Sequence, residues 1–136
     1  MWCRQPGFVL AEACHGGYLV GYASGMPLRP ATSWWRQLTT PLPAEVTTEY
    51  PGRTFALTGL LVRAAWRKQG IGAALHQRVL DRRPEERATV TVPSGAGPAQ
   101  AAFRGWGWRK IARTRGAGPG AGVLDVLVTD LVAGGE

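Results

Sequence analysis

The stretch from Leu57 to Leu80, LTGLLVRAAWRKQGIGAALHQRVL, decides how this chain is read. It starts apolar, then carries two cations, Arg67 and Lys68, then two glycines, Gly70 and Gly72. It ends with Ile71, Leu75 and Val79 spaced four apart, which is one face of a helix. The run Thr54–Val62 is apolar without clean alternation and predicts a strand covered on both faces. The junction is therefore strand, turn, helix. A helix N-terminus leaves amide N–H groups without partners and carries partial positive charge. Glycines there let an anion approach, because no Cβ stands in the way. The expected ligand carries a pyrophosphate or several phosphates.

Three phosphate motifs compete for this junction. A Walker loop needs Gly-Lys-Ser/Thr, whereas Ala73 and Ala74 follow Gly72. A dinucleotide fingerprint needs a third glycine where Leu75 stands. The pattern R/Q-x-x-G-x-G/A is met by Arg67-Lys68-Gln69-Gly70-Ile71-Gly72.

Outward from the junction, the chain alternates strand and helix signals. GFVLAEA and GYLVGYASGM predict a hairpin, Gly7–Ala13 and Gly17–Met26, joined by CHGG. SWWRQL predicts a short helix capped by Ser33, and TTPLPAEVTTEYPGR a proline-rich loop. The stripe predicts a helix over Gln69–Asp81, stopped near Pro84. Ala88–Val92 reads as a strand and Ala99–Trp106 as a second helix ending near Gly107. WRKIARTR and GVLDVLVTDL are two further strands around the turn GAGPGAG. A helix between Val62 and Ala88 makes those two strands parallel neighbours; the outer strands pair antiparallel.

Composition bounds the reading. With 136 residues, 45% hydrophobic and 18% charged, one domain over 1–136 is expected. No apolar run reaches the roughly 18 residues that cross a bilayer. MWCRQPG lacks the order of a signal peptide, so the expectation is a soluble cytoplasmic protein. Cys3 and Cys14 have no metal-ligand spacing, and His15 and His76 lie far apart, so no metal is expected. The net charge of +7 invites a polyanion. The arginines are spread along the chain, however, and the charge alone decides nothing.

The run LLVRAAWRKQGIGAALH resembles the acyl-CoA-binding motif of the GNAT superfamily of N-acetyltransferases. The resemblance rests on Leu60-Leu61-Val62, then Arg63, Trp66 and Arg67–Gly72. PAQAAFRGWGWRKI is similar to that family's A-x-x-x-Y-x-x-x-G-F segment, with Ala99, Phe103, Gly107 and Trp108 at its marked positions. The resemblance implies an α+β fold: a mixed, mostly antiparallel sheet with one splayed parallel pair, helices packed on it. It implies acetyl-CoA as cosubstrate, with pantetheine against Leu60, Leu61 and Val62. The pyrophosphate would lie on the amides of Lys68, Gln69, Gly70, Ile71, Gly72 and Ala73, beside Arg67. The Leu61 amide would bond the thioester carbonyl.

The chain departs from that pattern at several points. Phe103 stands where members often have a Tyr acid, and a phenyl ring donates no proton. Ala96, Thr91, Thr58 and Gly59 replace further polar positions of the family. The chain also looks short before its hairpin, so one wall of the acceptor site is expected from the segment after it. Trp34, Trp35, Glu45, Glu49 and Tyr50 are the candidates for an amine pocket. A half-covered hairpin face, with Phe8, Leu10, Leu19 and Tyr22 partly exposed, predicts a homodimer.

Three readings follow. The first is acetyl transfer to a small-molecule or peptide primary amine. The second is a catalytically weak or inactive CoA-binding relative. The third is a basic nucleic-acid module; it is disfavoured, because Trp106 and Trp108 in WGWRKIARTR suit a core. No membrane partner is expected.

Overall fold

The computed structural model describes residues 7–116 and 122–131. Six strands and three helices follow one another as β1 (Val9–His15), β2 (Tyr18–Pro27), α1 (Ala44–Thr47), β3 (Thr54–Val62), α2 (Ile71–Leu80), β4 (Arg87–Pro93), α3 (Gly97–Gly105), β5 (Arg109–Arg115) and β6 (Val123–Asp130). They form one mixed sheet in the order β1-β2-β3-β4-β6-β5, and the fold is α+β as expected. Only β3 and β4 run parallel. None of the described helices is long and apolar enough to cross a membrane.

The β1–β2 turn is tighter than CHGG suggested. Gly16 and Gly17 both have positive φ, 57° and 84°, which a two-residue primed turn requires. The strands therefore run on to His15 and start at Tyr18. The short helix expected at SWWRQL does not form. Residues 34–37 make a turn, and Thr32, not Ser33, accepts the Trp34 amide through its side chain at 3.1 Å. Tertiary contacts override local propensity here. Trp35 is drawn into a buried cluster with Leu28, Ala56, Ala112 and Val126. Leu38 bridges Thr114 on β5. The proline-rich loop instead holds α1. The turn GAGPGAG lies largely outside the described residues.

Two apolar clusters sandwich the sheet. On one face α2 and α3 bring Leu75, Val79 and Phe103 against Ala23, Phe55, Leu57, Val90 and Trp108. On the other face the 28–53 segment crosses from β2 to the far edge at β5 and returns to β3. The coverage expected on both faces of β3 holds for Thr54–Leu57, which are buried; from Thr58 onward the strand opens, and Leu61 is exposed.

The parallel pair is short. Thr54, Phe55 and Ala56 pair with Arg87, Ala88 and Thr89, and pairing stops there. Beyond that point β4 stays with β6 to Pro93, while β3 stays with β2 to Val62. A bulge marks the departure: Ser24 pairs with Gly59 and Gly25 with Leu57, leaving Thr58 as the extra residue. Such a bulge bends its strand and increases the twist. The Ser24 and Thr58 hydroxyls share a hydrogen bond of 2.9 Å across it.

Candidate functional site

The site grows from the separated ends of β3 and β4. Between them lies a cavity of about 420 Å³, lined by Leu57 to Leu60, by Val90 to Pro93, and by Ala99 and Phe103 of α3, with Trp34 at one side. A second cavity of about 510 Å³ adjoins it on the face of the 28–53 segment. Its floor is apolar, with Met26, Leu28 and Ala56; Arg29, Thr32 and Ser33 stand on its wall. Trp34 and Thr58 line both cavities and so form the border between them.

At the open end of β3 the chain passes through a 3-10 turn, Ala64–Trp66, into α2. Lys68 and Gly70 both adopt left-handed backbone, with φ of 63° and 82°. Glycine does this without cost, whereas a lysine there is uncommon and worth noticing. Among the described residues, no backbone carbonyl accepts from the amides of Lys68 through Ala73; the first helical bond is Ala74 N to Gly70 O at 3.0 Å. A Cβ at Gly70 would meet nothing within 4 Å, so the space beside these amides is open. Arg67 is held by its Nε on the Val62 carbonyl at 3.0 Å, which fixes its stem beside the turn. These residues fit a pyrophosphate-bearing group.

The ladder decides which β3 amides face the gap. Arg63 N donates to Val20 O at 2.8 Å. Hydrogen-bonding positions alternate along an antiparallel strand. Leu61, two residues earlier and paired with Tyr22, therefore turns its own N–H and C=O toward β2. Its carbonyl lies 2.8 Å from where a Gly21 Cβ would stand. Leu60 and Val62 turn theirs the other way, into the gap. The donor expected at Leu61 is thus engaged with the neighbouring strand, because the pleat has a period of two.

Phe103 is buried and lines the cavity between β3 and β4. It packs edge-on against Trp106 and Trp108, with ring centroids 5.3 Å away in each case. His76 completes this group. It stacks on Trp106 at 4.3 Å, and its Nε2 accepts the Trp108 indole N–H at 2.9 Å. Burial lowers its pKa to about 4, so the ring is neutral. Trp108 is buried in the core, and Trp106 is partly buried against it.

The five expected acceptor residues are dispersed. Trp34 alone among them reaches the cavities. Trp35 is buried and donates its indole N–H to Glu49 at 2.9 Å. Glu49 is fully enclosed; the same Oε2 accepts from Thr54 and Arg87, each at 3.0 Å. Tyr50 is exposed and donates to Glu86 at 2.8 Å, which raises its phenol pKa. Glu45 is exposed on α1. Glu49 therefore ties the 28–53 segment to the closed end of the gap, where Thr54 pairs with Arg87.

Sequence reading missed the neighbour of Gly59. A Cβ there would come within 3.1 Å of the Tyr22 ring and 3.6 Å of its hydroxyl. A glycine inside an apolar strand was the available signal for such a close approach.

The splayed parallel pair and the glycine turn with free amides match the resemblance seen in the sequence, and a family model agrees. The acetyltransferase (GNAT) family model matches residues 1–108. This chain is a GNAT acetyltransferase family member. No curated protein matches it in sequence. Solved GNAT structures share its fold at low identity. The ribosomal-protein-S18-alanine N-acetyltransferase of Escherichia coli aligns with TM-score 0.69 and 14% identity, over 98% of this chain and 75% of that one. Naa50 of Arabidopsis thaliana, solved with the bisubstrate analogue CoA-Ac-MVNAL, aligns with TM-score 0.65 and 16% identity, over 88% and 71%. YncA of Salmonella typhimurium, solved with acetyl-CoA, aligns with TM-score 0.66 and 18% identity, over 96% and 68%.

Proposed function

We propose that this GNAT member moves an acetyl group from acetyl-CoA to a primary amine. One observation carries the reading: β3 runs from the gap beside β4 through Leu60–Val62 to the turn that carries the free amides of Lys68–Ala73. Pantetheine fits against the gap-facing backbone of Leu60 and Val62, and pyrophosphate against the amides beside Arg67. Acetyl-CoA bound there supplies an activated acyl group. The Leu60 amide, rather than that of Leu61, is the donor for the thioester oxygen, where a fixed N–H stabilises developing negative charge. The presence of acetyl-CoA or a CoA analogue in the YncA and Naa50 structures supports the cosubstrate. Trp34, held in place by the Trp35–Glu49–Arg87 anchor, serves as the acceptor wall.

One observation favours a second reading, binding without turnover. Phe103 offers no proton to a leaving thiolate. Calorimetric titration with acetyl-CoA, then CoA-thiol release with a panel of amines, separates the two. No binding rejects both; binding without release under any amine leaves the second.

Among the described residues the outer edge of β1 is unpaired, Leu61 on β3 is 51% exposed, and Leu10 and Tyr22 on the β1–β2 hairpin are half-buried. A homodimer through this face belongs to the proposal. Sedimentation at increasing concentration tests it, and a monomer throughout rejects it.

A further inference from the structure

We infer that the acceptor is the free α-amino group of a peptide, and not a lysine side chain. The inference rests on the acetyl-transfer reading above and names its substrate class. Its ground is the chemistry of the cavity walls. Among the described residues, no Asp, Glu, His, Lys or Cys lines either of the two adjoining cavities; Arg29 is the one ionisable group on them.

The titratable groups nearby are placed where none can take the amine's proton. From α2, His76 has its Nε2 committed to the Trp108 indole. From the 28–53 segment, Glu49 is sealed off with Arg87, Thr54 and Trp35 on one oxygen. From α3 and β6, Arg104 and Asp125 open on a separate cavity with Ser94, Gln100 and Lys110. From β1, Glu12 pairs with Tyr22, which pairs with Leu61. Two strand spacings of about 4.8 Å keep it away from β3. Tyr22 lies over Gly59, and its phenol O–H offers a hydrogen-bond donor there rather than a base.

An amine entering this place must therefore arrive without its extra proton. Its lone pair then attacks the thioester carbonyl carbon and the C–S bond breaks. Sulfur leaves with the bonding pair and takes a proton from water, the nitrogen gives up one proton to water, and amide and CoA thiol remain. At pH 7 about one α-amino group in eight is neutral, against about one lysine in 2,500. An apolar cavity enforces the requirement for a neutral amine, since it disfavours the ammonium form of either one. A peptide also brings what Trp34 lacks. The Trp34 Nε1 is buried with no acceptor among the described residues. A peptide N-terminus carries a carbonyl next to its amine, and a lysine ε-amine does not.

Two peptides of otherwise equal sequence test this with the full chain. One has a free N-terminus and no lysine; the other has a blocked N-terminus and a single lysine. Acetyl-CoA binding is first measured by calorimetry, and CoA-thiol release is then followed from pH 6.5 to 9.5. At pH 7 the free-N-terminus peptide should show a kcat/KM about 10- to 100-fold higher, less than the ratio of neutral fractions because a more basic amine is the better nucleophile. The lysine peptide should gain about tenfold per pH unit, and the free-N-terminus peptide should level off above about pH 8. Trp34→Phe should raise KM for the free-N-terminus peptide without changing acetyl-CoA affinity. Equal or faster acetylation of the lysine peptide at pH 7 overturns the inference. So does a lysine rate that is flat from pH 7 to 9, or turnover of neither peptide while acetyl-CoA binds. An unchanged KM in Trp34→Phe overturns the peptide assignment. Failure of acetyl-CoA to bind strikes the acetyl-transfer reading itself.

Discussion

The Trp108 indole donates to His76 Nε2 at 2.9 Å inside a ring of aromatic side chains. That bond needs a neutral imidazole with an open acceptor nitrogen. The pKa of His76 falls from 6.5 unfolded to about 4 folded, so the unfolded state takes up the proton first as pH drops. The resulting stability is fully present above about pH 6.5 and is lost as pH falls toward 4. Thermal melts of wild type should fall across this window, and melts of His76→Phe should fall less steeply. At pH 7.5 the variant should itself be less stable by about 1–3 kcal/mol, because Trp108 Nε1 is left without an acceptor. Parallel slopes for both proteins would remove His76 as the titrating group.

Glu49 and Arg87 form a buried ion pair at 3.0 Å, with the Glu49 side chain fully enclosed. Removing one partner leaves the other charge buried and unpaired, which typically costs about 3–5 kcal/mol. Urea denaturation of Glu49→Ala should show a loss of this size. Replacing both residues with apolar ones of similar volume should restore part of it. A loss below about 1 kcal/mol would mean that the anchor is not holding the 28–53 segment.

Gly72 has room for a Cβ, with Val62 Cγ2 at 3.7 Å. Gly72→Val should therefore fold, at a stability near that of wild type, while its branches crowd the amides offered to the pyrophosphate. Saturating acetyl-CoA, at about a hundred times its Kd, should stabilise wild type by about 2.7 kcal/mol. Differential scanning fluorimetry should show that shift abolished in the variant. An undiminished shift would move the pyrophosphate away from this turn.

Phe103 lines the gap, and a tyrosine differs from it by one hydroxyl at the ring's far end. Phe103→Tyr should raise kcat if thiolate departure limits turnover. General-acid help is typically worth about 10²–10⁴, and a retrofitted group should give less. Acetyl-CoA affinity, measured alongside by calorimetry, should stay within about threefold. A measurable wild-type rate that does not rise would show that leaving-group protonation is not limiting.

Local chemistry carries far in this chain. Thr54–Val62 was legible to the residue because an apolar run without helical spacing begins after the Pro51-Gly52 turn and ends at the charged Arg63. The glycine junction was legible because left-handed backbone and an open helix end favour glycine, whatever packs nearby. The family motif was legible for the same reason, since it records backbone geometry at one turn.

The pairing register and the path of the 28–53 segment were not local. Leu61 looked like the gap-facing donor, yet a strand turns alternate amides to opposite sides, and the partner decides which. That partner lies some forty residues away, across the bulge at Thr58. Trp34 and Trp35 are adjacent and chemically alike, yet one borders the cavities and the other binds a sealed carboxylate. Their fates diverge because Leu38 is caught by Thr114 and Glu49 by Arg87, contacts between residues distant in sequence. Composition and motif thus determined the family, the sheet elements and the phosphate turn. Only the tertiary structure decided which side chains reach the cavities, because burial and strand register depend on residues brought together by folding.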